Sequence, residues 1–354
     1  MSSEPGAARL VEVRENHRFD ETKLLDHLRP RIPELGADAT VRQFAGGQSN
    51  PTFLIEGGDA RLVLRKKPPG KLLPSAHAVE REYRVMRALA DTDVPVPPCR
   101  LLCEDPSIIG TPFFVMDHVP GRVFADPSLP GLSPEARAAV YLDVADTLAR
   151  LHRVDPAAVG LSDFGKPSGY VARQVDRWSR QYRAAQTTEI PEMERLMTWL
   201  GQRRPDDERP TIAHGDFRLG NLLLHPTEPR VVAVLDWELS TLGHPLADLA
   251  YCSLSYHLPH QAGELMGLLG TDLAALGIPD EARFVARYAE ASGRGGIDMG
   301  EHRFFVAFSL FRLAAIAQGV YRRGLDGNAS DAKAAFYGEA AKALAAVGWG
   351  LAAR

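Results

Sequence analysis

Short hydrophobic runs that alternate with polar residues dominate the chain from about residue 40 to residue 119, and glycine or proline separates one run from the next. This pattern is typical of β-strands joined by turns. Helical spacing of hydrophobic residues predicts one helix before these strands and a second helix among them, over 23–35 and 75–90. The predicted strands cover 41–44, 52–55, 61–65, 99–104 and 112–119.

Beyond residue 132 the helical spacing takes over. Ser133 and Pro134 form a typical helix start, with a side chain that caps the first turn and a proline at the first helical position. The predicted helices cover 133–152, 170–186, 246–257, 279–292, 300–323 and 329–345. Two short hydrophobic segments, 222–224 and 231–235, predict a small sheet between these helices. The whole pattern predicts an α+β fold with a β-rich first lobe and a mostly helical second lobe.

A chain of 354 residues is longer than one ordinary hydrophobic core requires, which favours two packed lobes. Proline and glycine concentrate in 120–132, so the boundary between the lobes is placed there. The predicted division is a polar N-terminal arm, an N-terminal lobe, a hinge and linker, and a C-terminal lobe, over 1–22, 23–119, 120–132 and 133–354.

The composition is that of an ordinary globular protein, with 45% hydrophobic and 24% charged residues. It excludes a disordered chain, a collagen-like repeat and a small disulfide scaffold. A net charge of −4 gives no overall field to attract nucleic acid or an anionic membrane, so neither partner is expected. The three cysteines predict free thiols in a reducing compartment, and no secretory signal is visible. The expected localisation is therefore cytoplasmic.

The most informative motif is the segment from His214 to Asn221, in which Asp216 precedes Asn221 by five residues. A second carboxylate, Asp236, follows the predicted strand 231–235. An acid that accepts a hydroxyl proton, together with amide and carboxylate oxygens that bind Mg²⁺, is what metal-assisted phosphoryl transfer requires. A single buried aspartate is usually structural, but the full arrangement between two hydrophobic strands is specific for this chemistry.

These residues make the chain resemble the aminoglycoside phosphotransferase and choline kinase-like superfamily, from about residue 40 to residue 345. The resemblance implies a bilobal protein-kinase-like fold in which Mg·ATP binds between the lobes, with GTP as the alternative nucleotide. It implies that Asp216 is the catalytic acid residue and that Asn221 and Asp236 bind the metal. His214 is then expected to brace the catalytic loop, and Asp248 to support it structurally.

Arg218 lies two residues after Asp216, where a cation could stabilise charge on the transferred phosphoryl group. The alternative for Arg218 is a surface arginine that packs beside the loop. The resemblance also places the phosphate-covering loop at 46–50, with Gly47 and Ser49 as candidate contacts to the phosphates.

The remaining nucleotide contacts follow from the same resemblance. Arg65 stands where the family usually has a lysine that contacts the phosphates, and Glu82 matches the helix glutamate that pairs with it. Because arginine and lysine are not interchangeable at such a site, the effect of Arg65 on activity is an open question. Met116 is implied as the gatekeeper, with Asp117 and Val119 as backbone contacts to adenine.

The segments 64–75, 78–89 and 304–330 more specifically resemble the kinase-like domain fused to human acyl-CoA dehydrogenase family members ten and eleven, and its bacterial stand-alone relatives. That subgroup carries arginine at the position of Arg65. The resemblance implies a small-molecule hydroxyl acceptor such as a hydroxyacyl-CoA. An aminoglycoside is the alternative acceptor, and a catalytically silent nucleotide-binding module is the third reading. The acceptor contacts are expected between 250 and 325, and the oligomeric state is left open.

Overall fold

A six-stranded sheet forms the N-terminal part of the computed structural model, which describes residues 9–45, 50–68, 77–205, 210–260, 265–328 and 331–354. Its neighbouring strands run in the order β1-β2-β3-β4-β6-β5 and pair antiparallel. The strands are β1 (Leu10–Val11), β2 (Leu35–Phe44), β3 (Thr52–Gly58), β4 (Ala60–Lys66), β5 (Cys99–Cys103) and β6 (Phe113–Asp117). The expected β-rich lobe is therefore present.

Strand alternation divides the residues of β4 between two sides of the sheet. Leu62 and Leu64 belong to a hydrophobic cluster with helix α1 (Glu21–Leu28), whereas Val63 belongs to the large core on the other side. Arg65 shares the face of Val63, as period-two geometry predicts. This face carries helix α2 (Val79–Leu89), so Arg65 points toward α2 rather than toward α1.

The N-terminal segment differs from the predicted polar arm. Leu10 and Val11 pair with Phe44 and Gln43 and so extend the sheet by one short edge strand. Helix α1 begins after the cap Asp20 and ends at Leu28, not at residue 35. Pro30 explains the early end, because proline cannot donate the backbone hydrogen bond that would continue the helix.

The C-terminal part is mostly helical, as predicted. The cap at Ser133 is confirmed, since its side chain accepts a hydrogen bond from the backbone N–H of Ala136 at 3.2 Å. Its helices are α3 (Pro134–Arg153), α4 (Tyr170–Ala185), α5 (Pro191–Gln202), α6 (Pro245–Cys252), α7 (Leu273–Leu276), α8 (Glu281–Ser292), α9 (Met299–Arg323) and α10 (Asp331–Ala352). The predicted small sheet is also present, as β8 (Leu222–Leu224) paired with β9 (Val231–Val234).

Besides β1, four of the described elements were not predicted, namely the helices α5 and α7 and the paired strands β7 (Thr211–Ala213) and β10 (Thr241–Gly243). The two strands have three residues each, which is too short for an alternating pattern to show. The helix predicted over 246–257 is shorter than expected, because it tightens after Cys252 into a 3₁₀ segment, Ser253–His257.

Helix α9 forms the centre of the helical lobe and packs against α10, α4 and α6. By length and composition alone, the stretch Met299–Asp326 could cross a membrane, but 67% of its most hydrophobic window is buried inside the fold. Burial of this kind is what a core helix of a globular protein shows.

The two lobes are joined by backbone and side-chain contacts on both sides of the cleft. Arg122 exchanges two backbone hydrogen bonds with Leu224, at 2.8 and 2.9 Å, which ties the predicted linker to β8. On α2, Arg81 donates to the carbonyl of Phe164 at 2.8 Å and lies over the phenyl ring of Phe164. These contacts fix the linker and α2 against the helical lobe.

Candidate active site

The antiparallel hairpin of β8 and β9 brings Asn221 and Asp236 to the same end of the small sheet. Leu222 pairs with Val234, so Asn221, which precedes β8, lies beside the residues that follow β9. The backbone N–H of Leu235 donates to the carbonyl of Asn221 at 2.8 Å. Asp236 adopts a left-handed backbone conformation (φ 67°), which aspartate tolerates better than most residues and which is common at functional sites.

The loop after β7 is held by a buried aspartate. Asp248 accepts hydrogen bonds from the backbone N–H groups of His214 and Gly215, at 2.6 and 2.9 Å, and His152 lies 3.3 Å from the same carboxylate. Burial alone would raise the pKa of Asp248, but these hydrogen bonds and the nearby histidines lower it overall. Gly215 has φ +83°, and a side chain there would meet the carbonyl of Leu239 at 2.7 Å. The loop geometry therefore requires glycine at this position.

His214 braces the loop from inside the core. Its Nε2 lies 2.9 Å from the carbonyl of Leu235, and its Nδ1 accepts from the backbone N–H of Asp216 at 3.2 Å. Because a carbonyl can only accept, Nε2 carries the proton and Nδ1 is the acceptor. His214 is fully buried against Trp237, so it is placed to orient Asp216 rather than to act as a base.

Asp216 and Asn221 are in direct contact. The side-chain amide of Asn221 donates to Asp216 Oδ2 at 2.7 Å and to the Asp216 carbonyl at 2.9 Å. Arg218 lies on the outer side of the loop, with its Nε 3.4 Å from Asp216 Oδ2 and its side chain 53% exposed. The Asp216 side chain is 18% exposed, so it is reachable from the cleft while its neighbours fix its direction.

Arg65 joins the two lobes through their acidic side chains. Its Nη2 donates to Asp236 Oδ1 at 2.8 Å, and its Nε lies 3.2 Å from Glu82 Oε2. Glu82 is almost fully buried, and this burial raises the pKa of Glu82 to about 7 against the opposing charge of Arg65. The contact predicted between Arg65 and Glu82 is thus present in the structure, and it extends to Asp236.

Sequence reasoning missed two residues of this cluster. Asn50 donates to Glu82 Oε1 at 2.8 Å and contacts Glu238 at 3.4 Å, across a separation of 188 residues. Among the described residues, carboxylate oxygens of Glu82, Asp236 and Glu238 lie within 4.8 Å of one another. The position of Glu238, two residues after Asp236, was the available signal for it. Carboxylate oxygens are ligands that Mg²⁺ prefers, so Asp236 and Glu238 fit this ion, and Asn221 lies at the same end of the β8–β9 hairpin as Asp236.

The structure describes some of the predicted nucleotide contacts and not others. Gly47 and Ser49 lie outside the described residues. Met116 is buried on β6, opposite Val63 of β4. Asp117 ends β6, and its N–H donates to the carbonyl of Pro98 at 2.8 Å. Val119 follows two residues after the end of β6, in the segment that leads to the linker, so the three positions lie close together along the chain.

Two further residues that the sequence did not single out lie beside the catalytic loop. Arg312 of α9 donates from Nη1 to the carbonyl of Gly215 at 2.8 Å, and its guanidinium lies 4.9 Å from the ring centroid of Tyr251. Burial raises the pKa of Tyr251, and the nearby charge of Asp216 raises it further. Both residues fall within 250–325, the range in which acceptor contacts are expected.

Comparison with known proteins finds relatives over nearly the whole chain. The model of the Phosphotransferase enzyme family matches residues 40–305. Acyl-CoA dehydrogenase family member 10 of Mus musculus is 51% identical over 312 residues, which are 88% of this chain and 29% of that protein. Family member 11 of Homo sapiens is 43% identical over 354 residues, which are 99% of this chain and 45% of that protein. The chain thus spans less than half the length of these curated relatives.

Among solved structures, a protein of Ralstonia eutropha JMP134, provisionally assigned as an aminoglycoside phosphotransferase, is 47% identical with a TM-score of 0.86. The alignment covers 95% of this chain and 99% of that one. The chain is also similar in fold (TM-score 0.58, 18% identity) to an aminoglycoside phosphotransferase in a ternary complex with AMP-PNP and hygromycin B. These structures confirm the predicted kinase-like fold.

Proposed function

The chain belongs to the phosphotransferase enzyme family, and from this premise we propose that it is an ATP- and Mg²⁺-dependent kinase of a small-molecule hydroxyl group. The observation that carries the proposal is the direct contact of Asp216 with Asn221, next to Asp236 at the end of the same small sheet. One loop and one strand end thereby supply both an acid residue for the acceptor and oxygen ligands for a metal.

In the proposed reaction Asp216 orients the acceptor hydroxyl and takes its proton. A bond forms between the acceptor oxygen and the γ-phosphorus, while the bond from the γ-phosphorus to the β,γ-bridging oxygen breaks and ADP leaves. Asn221 and Asp248 hold the loop so that Asp216 keeps its direction during the transfer. Arg218 is placed beside Asp216, where its charge would stabilise the transferred group.

Magnesium fits the acidic end of the site. Asp236 and Asn221 would hold the ion, with Glu238 as a further oxygen donor. Bound Mg²⁺ neutralises phosphate charge during transfer. Arg65 donates to Oδ1 of Asp236, and among the described residues Oδ2 is left as the oxygen that a metal would use.

The charges near Asp216 favour an acidic acceptor such as a hydroxyacyl-CoA. Arg218 lies beside Asp216 with its side chain 53% exposed. An exposed cation at this position attracts the phosphates of a coenzyme A thioester and repels a polycation. The names of the curated relatives, which are acyl-CoA dehydrogenase family members, agree with an acyl-CoA-like acceptor.

An aminoglycoside is the second candidate acceptor, because the Ralstonia protein with 47% identity carries that provisional assignment. A polycationic drug needs free carboxylates in the acceptor region. The acids there are engaged: Glu281 contacts two histidines, Glu290 pairs with Arg287, and Asp298 caps α9. This arrangement gives the aminoglycoside less support than the acidic acceptor.

A catalytically silent nucleotide-binding module is the third candidate, and the presence of Asp216, Asn221 and Asp236 together counts against it.

The decisive experiment offers Mg·ATP with a panel of hydroxyacyl-CoAs and a panel of aminoglycosides, and detects phosphorylated products by mass spectrometry. We expect phosphorylated hydroxyacyl-CoA with the wild type. With Asp216→Asn, turnover should fall by about 100-fold or more, because general-base assistance is lost. Asp26→Asn, at an exposed aspartate paired with Arg29, is the matched control and should react like the wild type.

Transfer to aminoglycosides alone would select the second candidate. An Asp216→Asn variant with full activity would overturn the assigned role of Asp216. If no acceptor reacts, a titration of Mg·ATP binding distinguishes a silent nucleotide-binding module from a chain that binds no nucleotide.

A further inference from the structure

One arginine of the helical core reaches the catalytic loop from far along the chain. Arg312 lies near the middle of α9, and its Nη1 donates to the carbonyl of Gly215 at 2.8 Å, across 97 residues of sequence. Gly215 directly precedes Asp216. The contact therefore ends on the peptide group that carries the backbone nitrogen of Asp216.

Gly215 is held by hydrogen bonds at both its backbone nitrogen and its carbonyl oxygen. The N–H of Gly215 is bound by Asp248 at 2.9 Å, and the carbonyl of Gly215 is bound by Arg312. With the nitrogen and the oxygen both held, neither peptide plane of Gly215 can rotate freely. Glycine at φ +83° would otherwise be the most flexible residue of the loop.

The guanidinium of Arg312 is itself fixed by aromatic rings. It lies 4.9 Å from the ring centroid of Tyr251 and 5.4 Å from that of Trp178. Among the described residues, its Nε is buried without a hydrogen-bond partner, so its binding rests on the carbonyl of Gly215 and on these rings. A planar guanidinium can stack and donate at once, which an ammonium cannot do in the same way.

From this geometry we propose that Arg312 is a positioning residue that sets the direction of Asp216 for phosphoryl transfer. The inference rests on the proposed function, because Asp216 must be the residue that handles the acceptor hydroxyl. Arg312 acts through Gly215 and not on the substrate. Its loss therefore changes the rate of transfer more than the binding of nucleotide.

The experiment compares Arg312→Met and Arg312→Lys with the control Arg177→Met. Arg177 also lies 5.4 Å from the ring centroid of Trp178, but it is an exposed residue of α4 outside the catalytic machinery. The first measurement is amide hydrogen exchange over residues 213–221. We expect faster exchange in Arg312→Met than in the wild type, and wild-type exchange in Arg177→Met.

The second measurement is steady-state kinetics with the acceptor found for the wild type. For Arg312→Met we expect kcat to fall by about 10- to 100-fold, because small misplacements of a catalytic group have effects of this size. KM for Mg·ATP should stay within about twofold of the wild-type value. Arg312→Lys, which keeps a hydrogen-bond donor, should have a kcat between those of Arg312→Met and the wild type. The control Arg177→Met should have the wild-type kcat.

Unchanged exchange over 213–221 in Arg312→Met overturns the proposal, and so does an unchanged kcat. A larger effect on KM for Mg·ATP than on kcat also overturns it. If the wild type phosphorylates no acceptor, the proposed function fails. The exchange rates still decide whether Arg312 holds the loop.

Discussion

Arg65 in the sheet and Asp236 in the helical lobe form an ion pair across the cleft, with 2.8 Å between Nη2 and Oδ1. The same guanidinium reaches Glu82 of α2 through its Nε at 3.2 Å. One planar side chain thereby links a strand, a helix and a candidate metal ligand. A lysine has a single point of charge and cannot make both contacts with the same geometry. This gives a physical reason for arginine where the wider family is expected to carry lysine.

Removal of this cation should destabilise the free protein. Arg65→Met leaves Glu82 buried next to Asp236 and Glu238 without a compensating charge, and a broken buried pair typically costs about 3–5 kcal/mol. We expect a fall of about 3 kcal/mol in the free energy of unfolding, measured with urea. Millimolar Mg²⁺ should raise the free energy of unfolding of Arg65→Met, and should raise that of the wild type much less. The free energy of unfolding of Arg65→Lys should lie between those of Arg65→Met and the wild type.

The control for Arg65 is Arg42→Met, at an exposed ion pair with Glu56 in the same sheet. Exposed pairs contribute about 0–1 kcal/mol, so this variant should stay close to the wild type and should not respond to Mg²⁺. If Arg65→Met and Arg42→Met are equally stable, the bridge is not a stabilising feature of the fold.

Asp248 should be required for folding of the catalytic loop rather than for chemistry. Asp248→Asn replaces one accepting oxygen by an amide donor that faces a backbone N–H of His214 or Gly215. An unsatisfied buried group of this kind destabilises by about 2–4 kcal/mol. We expect a lower melting temperature in calorimetry, together with faster amide exchange at residues 214–216. Asp163→Asn, at an exposed carboxylate, is the control. Wild-type stability of Asp248→Asn would contradict this structural role.

The sequence predicted the contacts within the catalytic loop better than the contacts that surround the loop. The reason is the number of residues that separates the two partners of each contact along the chain. Asp216 and Asn221 lie in one short segment, so their spacing alone indicated their proximity. Asn50 and Glu238 meet across 188 residues, and Arg312 and Gly215 meet across 97. Neither contact leaves a local pattern, because each depends on how the lobes and helices pack.

The same argument applies to the elements of the fold. Long helices such as α3 and α9 were predicted within one or two residues of their observed starts. Strand β1 was missed because two residues carry no periodicity, and it forms only because β2 offers an edge for pairing. The early end of α1 at Leu28 follows from Pro30. The prediction over 23–35 rested on hydrophobic spacing alone and did not take this proline into account.

The metal dependence of nucleotide binding should separate Asp236 from Glu238. We expect Asp236→Asn to raise the Mg²⁺ concentration for half-maximal nucleotide binding by about 100-fold, and Glu238→Gln by about tenfold. The difference follows from the roles proposed above, in which Asp236 would be a principal ligand and Glu238 a supporting donor. Calorimetric titration of nucleotide at a series of Mg²⁺ concentrations measures both values. Chelation of Mg²⁺ by EDTA should abolish nucleotide binding in the wild type. A wild-type Mg²⁺ requirement in Asp236→Asn would contradict the assignment.

Glu281 should make the helical lobe sensitive to acid. Its Oε1 lies 2.9 Å from Nε2 of both His257 and His302, which come from the segment after α6 and from α9. Burial alone would raise the pKa of Glu281, but the hydrogen bonds from the two histidines outweigh it and lower the pKa to about 2. The ordinary value in the unfolded chain is 4.5.

Because the folded state holds the charged form more strongly, the stabilisation is present above pH 4.5 and is lost as the pH falls toward 2. Its size is on the order of 3 kcal/mol at neutral pH. We therefore expect Glu281→Gln to be less stable than the wild type in urea at pH 7, with a difference that shrinks by more than half at about pH 3. The control Glu290→Gln, at a carboxylate that is 74% exposed, should show a small difference at both values. A difference for Glu281→Gln that is the same at both pH values would mean that the carboxylate stabilises α8 and α9 by packing and not by its charge.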